Sequence, residues 1–209
     1  MRNKNTLILF TKTPIICRVK TRMWPNLSHR ECLYLHRKLI KTIVDQFKSR
    51  HDLKLVIYTT YNFSAYSNFP CNIKVKKQIG YDLGDRMYYA IQNELKHAQR
   101  VVLIGTDCLD LTISYIYNAF ERLKSQRDIV IGPADDGGYT LIGVKKNKPS
   151  LFRNIIWGSP TVLNATINIA NKHGYQCSLL NQVFDIDRYS DLKRLHDKRA
   201  LPTWAECLL

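Results

Sequence analysis

The chain has 209 residues, 45% of them apolar and 23% charged, enough for a sizeable core without disulfide staples; this excludes a disordered or low-complexity protein. No apolar run approaches the ~20 residues that span a bilayer, and the stretch Leu7 to Phe10 is too short for a signal-peptide core, so a cytoplasmic protein beginning near Met1 is expected. The net charge of +15 favours an anionic partner. The basic residues spread along the whole chain without a zinc-finger, RRM or KH signature, so nucleic acid is not the expected partner.

In chain order, Thr6 to Thr11 reads as a buried strand. A helix follows that can start at Ser28, with Leu33, His36, Ile40, Ile43, Val44 and Phe47 sharing one face. Leu53 to Thr59 and the weaker Asn72 to Lys76 are further strands. A second helix carries Leu83, Met87, Ala90, Ile91 and Leu95 on one face. Then come a strand over Arg100 to Gly105, a helix near Ser114 to Leu123, strands over Asp128 to Gly132 and Tyr139 to Val144, and a helix near Thr161 to Lys172. Gln176 to Leu180 adds a last strand and Asp191 to Lys198 a short terminal helix. The alternation predicts a single α/β domain over 1–209, a Rossmann-like, mostly parallel sheet with helices on both faces. The six cysteines form no CxxC pair and are expected to be reduced.

In such sheets ligands lie beyond the carboxyl ends of the strands, so the loops there carry the chemistry. The first, Lys12 to Arg22, holds four cations in eleven residues, suited to phosphate oxygens, or else is a solvated basic loop. The second, Gln78 to Met87, sets Gly80 and Gly84 about a helix start, with Asp82 as its N-cap. In the third, Asp107 follows a buried strand, where a carboxylate must be paired or bind a cation; hard oxygen ligands suit Mg²⁺ or Mn²⁺. Asp110 can cap the next helix. The fourth, Gly132 to Tyr139, holds Asp135, Asp136, Gly137 and Gly138; a type I′ hairpin turn explains its glycines but not its second carboxylate. In the fifth, Asp185 and Asp187 alternate and point the same way if extended, either completing a metal site or offsetting a helix dipole beside a Ser190 cap.

The ordered set KTPIICRVKTRM, QIGYDLGDRM, GTDCLDL, GPADDGGYTLIG and DIDRYSDL resembles one family pattern, KxPxPGxVKTRL, QxGxDLGxRM, GTDCPDL, GPAxDGGYxLIG and DIDTPEDL. That pattern belongs to the small bacterial glycosyltransferase-A-like (GT-A-like) transferases associated with radical-SAM and selenium genes, which include arsenosugar-biosynthesis glycosyltransferases. The resemblance runs from Lys12 to Leu192 and departs at Ile16-Cys17 (Pro-Gly in the pattern), Leu109 (Pro) and Arg188-Tyr189 (Thr-Pro).

The resemblance implies a nucleotide-diphospho-sugar transferase fold that binds a nucleotide-sugar donor and a small-molecule acceptor. By it, Lys20, Thr21 and Arg22 match the phosphate-side loop, and Gln78, Gly80 and Gly84 the nucleotide-side loop. Asp107 matches the metal aspartate, with Asp187 as the late acidic position. Asp136, Gly137, Gly138 and Tyr139 match the acceptor-side loop, with Asp136 as acceptor base and Asp135 as the near alternative. Nucleotidyl transfer with release of pyrophosphate, and non-catalytic nucleotide binding, are the alternative readings.

Overall fold

The computed structural model describes residues 3–61, 73–125, 127–146 and 148–209. Seven strands form one sheet: β1 (Asn3–Thr11), β2 (Leu53–Thr59), β3 (Lys74–Lys77), β4 (Ala98–Ile104), β5 (Ile129–Pro133), β6 (Tyr139–Val144) and β7 (Cys177–Leu179). Their order is β3-β2-β1-β4-β6-β5-β7, and only β6 runs against the rest. β1 lies inside the sheet, in parallel register with both β2 and β4. The chain leaves β1 first towards β2 and β3 and later towards β4, so the order reverses beside β1, where α/β sheets open a ligand crevice.

Six helices surround the sheet: α1 (His29–Phe47), α2 (Leu83–Leu95), α3 (Ile113–Lys124), α4 (Val162–Lys172), α5 (Tyr189–Asp197) and α6 (Thr203–Glu206). α1 and α3 cover one face, packing Ile40, Val44, Phe47, Ile116 and Phe120 against Leu7, Leu9, Ile57 and Val102. α2 and α4 cover the other, over Ile8, Val56, Val101 and Ile131. The apolar runs of β1 and β4 thus face both layers, as strands buried on both sides must. A third apolar cluster joins Met23 and Leu27 of the first loop to Leu35 and Leu39 of α1, and to Ile186, Leu192 and Leu208.

The expected strands and long helices form within a few residues of their predicted bounds. Ser28 caps α1 through a reciprocal pair with Glu31. Asn72, the predicted start of the third strand, and Cys71 lie outside the described residues. The buried face of α1 centres on Cys32, Leu35, His36 and Leu39, and Leu33 is only half-buried. The last long helix starts at Tyr189, and Asp191 rather than Ser190 closes its first turn by accepting from the N–H groups of Asp187 and Arg188. The short helix α6 has too few residues to show a period. The described cysteines are free thiols. Among the described residues no helix is long and apolar enough to cross a membrane.

One polar residue is built into the α2 face. Glu94 is fully buried and takes hydrogen bonds from Lys54 (2.9 Å), Lys76 (2.6 Å) and the Tyr58 hydroxyl (2.9 Å), tying α2 to β2 and β3. Burial pushes its carboxyl up, but the two lysines outweigh burial and hold it below its ordinary value. A depressed carboxyl stabilises the fold above its unfolded pKa, roughly 4.3, and that contribution is lost as pH falls below it. The expected cost of Glu94→Gln is about 1–3 kcal/mol at pH 7, less than for a fully dry pair because both lysines are partly exposed. Urea unfolding at pH 7 and pH 3.5 checks this, and an equal cost at both pH values would refute it.

Candidate active site

The loop after β1 turns back over the sheet edge and places Lys20 in the left-handed region, at φ 50°. Its side chain is 3% exposed. The ammonium meets Asp107 Oδ1 at 2.9 Å and donates to the Ile186 carbonyl at 2.5 Å. Asp107, just past β4, also accepts from the Thr106 hydroxyl at 3.1 Å, and its own carbonyl accepts from the Ile186 N–H at 2.7 Å. Burial raises the Asp107 carboxyl, yet Lys20, His36 and the two hydrogen bonds hold it below its ordinary value. A carboxylate at this strand end must be paired or bind a cation, and the chain itself supplies a partner, Lys20. Lys20 is therefore a counter-ion to Asp107 before it is a phosphate ligand. Arg22 repeats the pattern at the surface, with its Nη1 2.7 Å from Asp187 Oδ2.

Asp185 and Asp187 do face one way, and with Asp107 and Asp136 they line a single cavity of about 490 Å³. Asp185 is pushed up to about 7, first by burial and then by Asp107, Asp136 and Asp187. Its alternation with Asp187 was legible, but its crowding was not, because its neighbours come from loops far away in sequence. His36 also lines the cavity. It sits on the buried face of α1, and its Nε2 lies 3.0 Å from the Lys12 carbonyl, so Nε2 carries a proton. Burial holds its pKa below the ordinary value.

Lys20, Thr21, Arg22, Gln78, Asp107, Asp136, Tyr139 and Asp187 meet at this cavity, and the four predicted glycines lie outside its lining. Gln78 donates to the carbonyls of Thr11 and Tyr58 at 2.9 and 3.0 Å, clamping the ends of β1 and β2. Gly84 has no room for a side chain: a Cβ would stand 2.5 Å from the Phe152 carbonyl and 2.7 Å from the Trp157 ring. It serves close packing. Gly137 takes φ 87° against the Pro160 carbonyl, and the Gly138 N–H donates to Asp136 Oδ1 at 2.8 Å, aiming that carboxylate. The backbone of Gly80, at φ 141°, excludes a side chain there. Asp135 turns away to Arg194 at 3.1 Å. Cys17, where the family pattern has glycine, adopts φ 63°, a conformation glycine takes without cost.

Among the described residues no three His, Cys, Asp or Glu side chains are disposed to hold a metal ion together. The donor chemistry nevertheless fits a hard divalent cation: Asp107, Asp136, Asp185 and Asp187 line one cavity and offer oxygen alone.

The model of a bacterial family described as an uncharacterized conserved protein family (DUF2064) matches residues 43–159. No curated protein matches the chain in sequence. A solved structure from Desulfovibrio desulfuricans G20, provisionally named a nucleotide-diphospho-sugar transferase, is 27% identical, with 99% of this chain and 91% of that one aligned at a TM-score of 0.89. The mannosyltransferase PcManGT of Pyrobaculum calidifontis, solved with GDP-Man and Mn²⁺, is 13% identical over 88% of this chain and 57% of its own, at a TM-score of 0.52. A 4-diphosphocytidyl-2C-methyl-D-erythritol synthase from Anaerococcus prevotii DSM 20548 is 8% identical over 94% and 96%, at 0.61. The fold is thus the GT-A-like nucleotide-diphospho-sugar transferase fold, shared by glycosyl and nucleotidyl transferases.

Two expectations follow from the charges. Asp107→Asn leaves Lys20 buried without its counter-charge. Because 38% of the Asp107 side chain is exposed, the expected loss is about 1–3 kcal/mol rather than the larger cost of a dry pair. Urea unfolding in chelator measures it, and unchanged stability would show that Lys20 does not depend on Asp107. Asp185→Asn acts the other way. A carboxyl raised from roughly 3.9 to about 7 stabilises the fold fully below the lower value and loses that contribution as pH rises through the upper one. The variant should match the parent near pH 4 and exceed it in melting temperature at pH 8, which a pH series of melting curves in chelator resolves.

Proposed function

The chain belongs to the DUF2064 family, and we propose that it is a metal-assisted glycosyltransferase acting on a nucleotide-diphospho-sugar donor and a small-molecule acceptor. One observation carries the reading: four carboxylates from three separate strand ends converge on one cavity at the carboxyl edge of the sheet. The ordered motifs support the narrower radical-SAM- and selenium-associated group, acting as one domain in the cytoplasm.

Asp107 and Asp187, with Asp185 beside them, would hold Mg²⁺ or Mn²⁺. Bound there, the cation would offset the charge of the donor diphosphate. Lys20 and Arg22 bridge the first loop to these aspartates, so the loop that faces the donor is fixed by the carboxylates themselves. Asp136, aimed by the Gly138 N–H, accepts the proton of the acceptor hydroxyl as its oxygen bonds to the sugar carbon and the bond from that carbon to the diphosphate oxygen breaks, the nucleoside diphosphate leaving with the bonding electron pair. Tyr139 lines the same cavity, edge-on to Trp157, and burial raises its phenol so that it stays protonated and can donate or accept a hydrogen bond.

The second reading, attack of an acceptor on the α-phosphorus of a nucleoside triphosphate, uses the same cavity, and the fold is shared with a cytidylyltransferase from Leptospira borgpetersenii. Product analysis separates the two: free nucleoside diphosphate supports the first and pyrophosphate the second. Asp136→Asn should lower kcat about 100-fold or more, within the range for a general base, while donor affinity by calorimetry in Mn²⁺ stays within about threefold. Unchanged turnover would remove Asp136 from the chemistry, and donor binding by the parent that ignores chelator would remove the metal.

A further inference from the structure

A buried polar seam runs along the wall of the acidic cavity. His36, Thr11 and Thr106 are 3%, 4% and 4% exposed, and they come from α1, the last position of β1 and the loop after β4. All three line the cavity. The His36 Nε2 lies 3.4 Å from the Thr11 hydroxyl, which lies 3.3 Å from the Thr106 hydroxyl, and Thr106 donates to Asp107 Oδ1 at 3.1 Å. Side chains up to 95 residues apart thus form one line that ends on the carboxylate.

Chemistry fixes the direction of the line. An ionised carboxylate only accepts, so the Thr106 proton goes to Asp107 and the Thr106 oxygen is left to accept from Thr11. The Thr11 oxygen then accepts from the His36 Nε2–H, which it shares with the Lys12 carbonyl at 3.0 Å. That carbonyl also stands 3.2 Å from the Thr11 hydroxyl and competes for its proton, but the negative charge at the end of the line polarises each hydroxyl towards itself. The grip on the carboxylate is one-sided. Oδ1 takes both the Thr106 hydroxyl and the Lys20 ammonium, whereas Oδ2 has no partner among the described residues. Asp107 lines the cavity with 38% of its side chain exposed, so an oxygen is open to a ligand while the other is held from behind.

We propose that Thr106, Thr11 and His36 are positioning residues whose hydrogen-bond line holds Asp107 by Oδ1 and leaves Oδ2 for the divalent cation, an assignment that rests on Asp107 as a metal ligand. None of the three touches the cation in this role; each acts through Asp107. Hydrogen bonds behind a metal ligand govern metal affinity by about 10- to 100-fold. A seam that served only to satisfy buried polar groups where β1 meets β4 would contribute to stability and leave metal affinity alone.

The test is Mn²⁺ binding by the full chain without nucleotide, read by calorimetry and by loss of the paramagnetic resonance signal of the free ion. Thr106→Val keeps the shape of the side chain and removes its hydroxyl, and should weaken Mn²⁺ binding by about tenfold or more. Thr11→Val and His36→Leu leave every direct contact of Asp107 in place, and each should still weaken binding by about threefold or more. Thr106→Ser and His36→Gln restore a donor and should stay within about twofold of the parent. Thr42→Val, which removes a hydroxyl bonded to the Lys38 carbonyl on α1, should change nothing. Melting curves in chelator identify the folded variants, and Thr11→Val, two hydrogen bonds from the carboxylate, carries the test if Thr106→Val does not fold. Mn²⁺ binding by the parent that is matched by the folded Val variants overturns the proposal and leaves the metal reading standing. A parent that takes up no Mn²⁺ overturns both.

Discussion

The ion pair between Lys20 and Asp107 fixes the geometry on which the cleft depends. One buried ammonium touches the loop after β4 and the carbonyl of Ile186, while its own backbone belongs to the loop after β1. Three segments distant in sequence are thus pinned at a single point. A lysine so enclosed is unfavourable without its anion, and Asp107 is crowded by other carboxylates without its cation. Each group makes the other tolerable, and the left-handed backbone at Lys20 is the local strain that brings them together.

Around that point the charges separate by strand. The ends of β1 and β2, with the start of α2, present Lys12, Arg18 and Arg86; the ends of β4, β5 and β7 present Asp107, Asp136, Asp185 and Asp187. The sheet order makes this possible, because β2 and β3 lie to one side of β1 while β4, β5 and β7 lie to the other. A ligand lying across the switch point meets cations at one end and carboxylates at the other. Such a field orients a phosphate-bearing molecule before any close contact forms.

Much of this was legible in the sequence. Apolar runs such as Val101 to Ile104 have one physical solution, a strand buried on both faces, and Asp82 was legible as the N-cap of α2. The positions that line the cleft were legible as loops after strands. Pairing was not, because partners such as Lys20 and Ile186 are 166 residues apart and no local pattern links them. The same gap explains Gly84, which looked like a ligand glycine until Trp157 and Phe152 closed over it. It explains His36 too, which shares the apolar period of α1 while its ring meets the cleft.

The third apolar cluster has a consequence for how the molecule forms. Met23 and Leu27 can reach their partners Ile186, Leu192 and Leu208 only across nearly the whole chain. The Arg22–Asp187 and Lys20–Ile186 contacts span 165 and 166 residues. The pairings of β1 with β2 and β4 close much shorter loops and bury most of the sheet without them. The cleft's last two aspartates are thus held by the contacts that span the most chain, so closing the site costs more loop entropy than pairing β1 with β2 or β4.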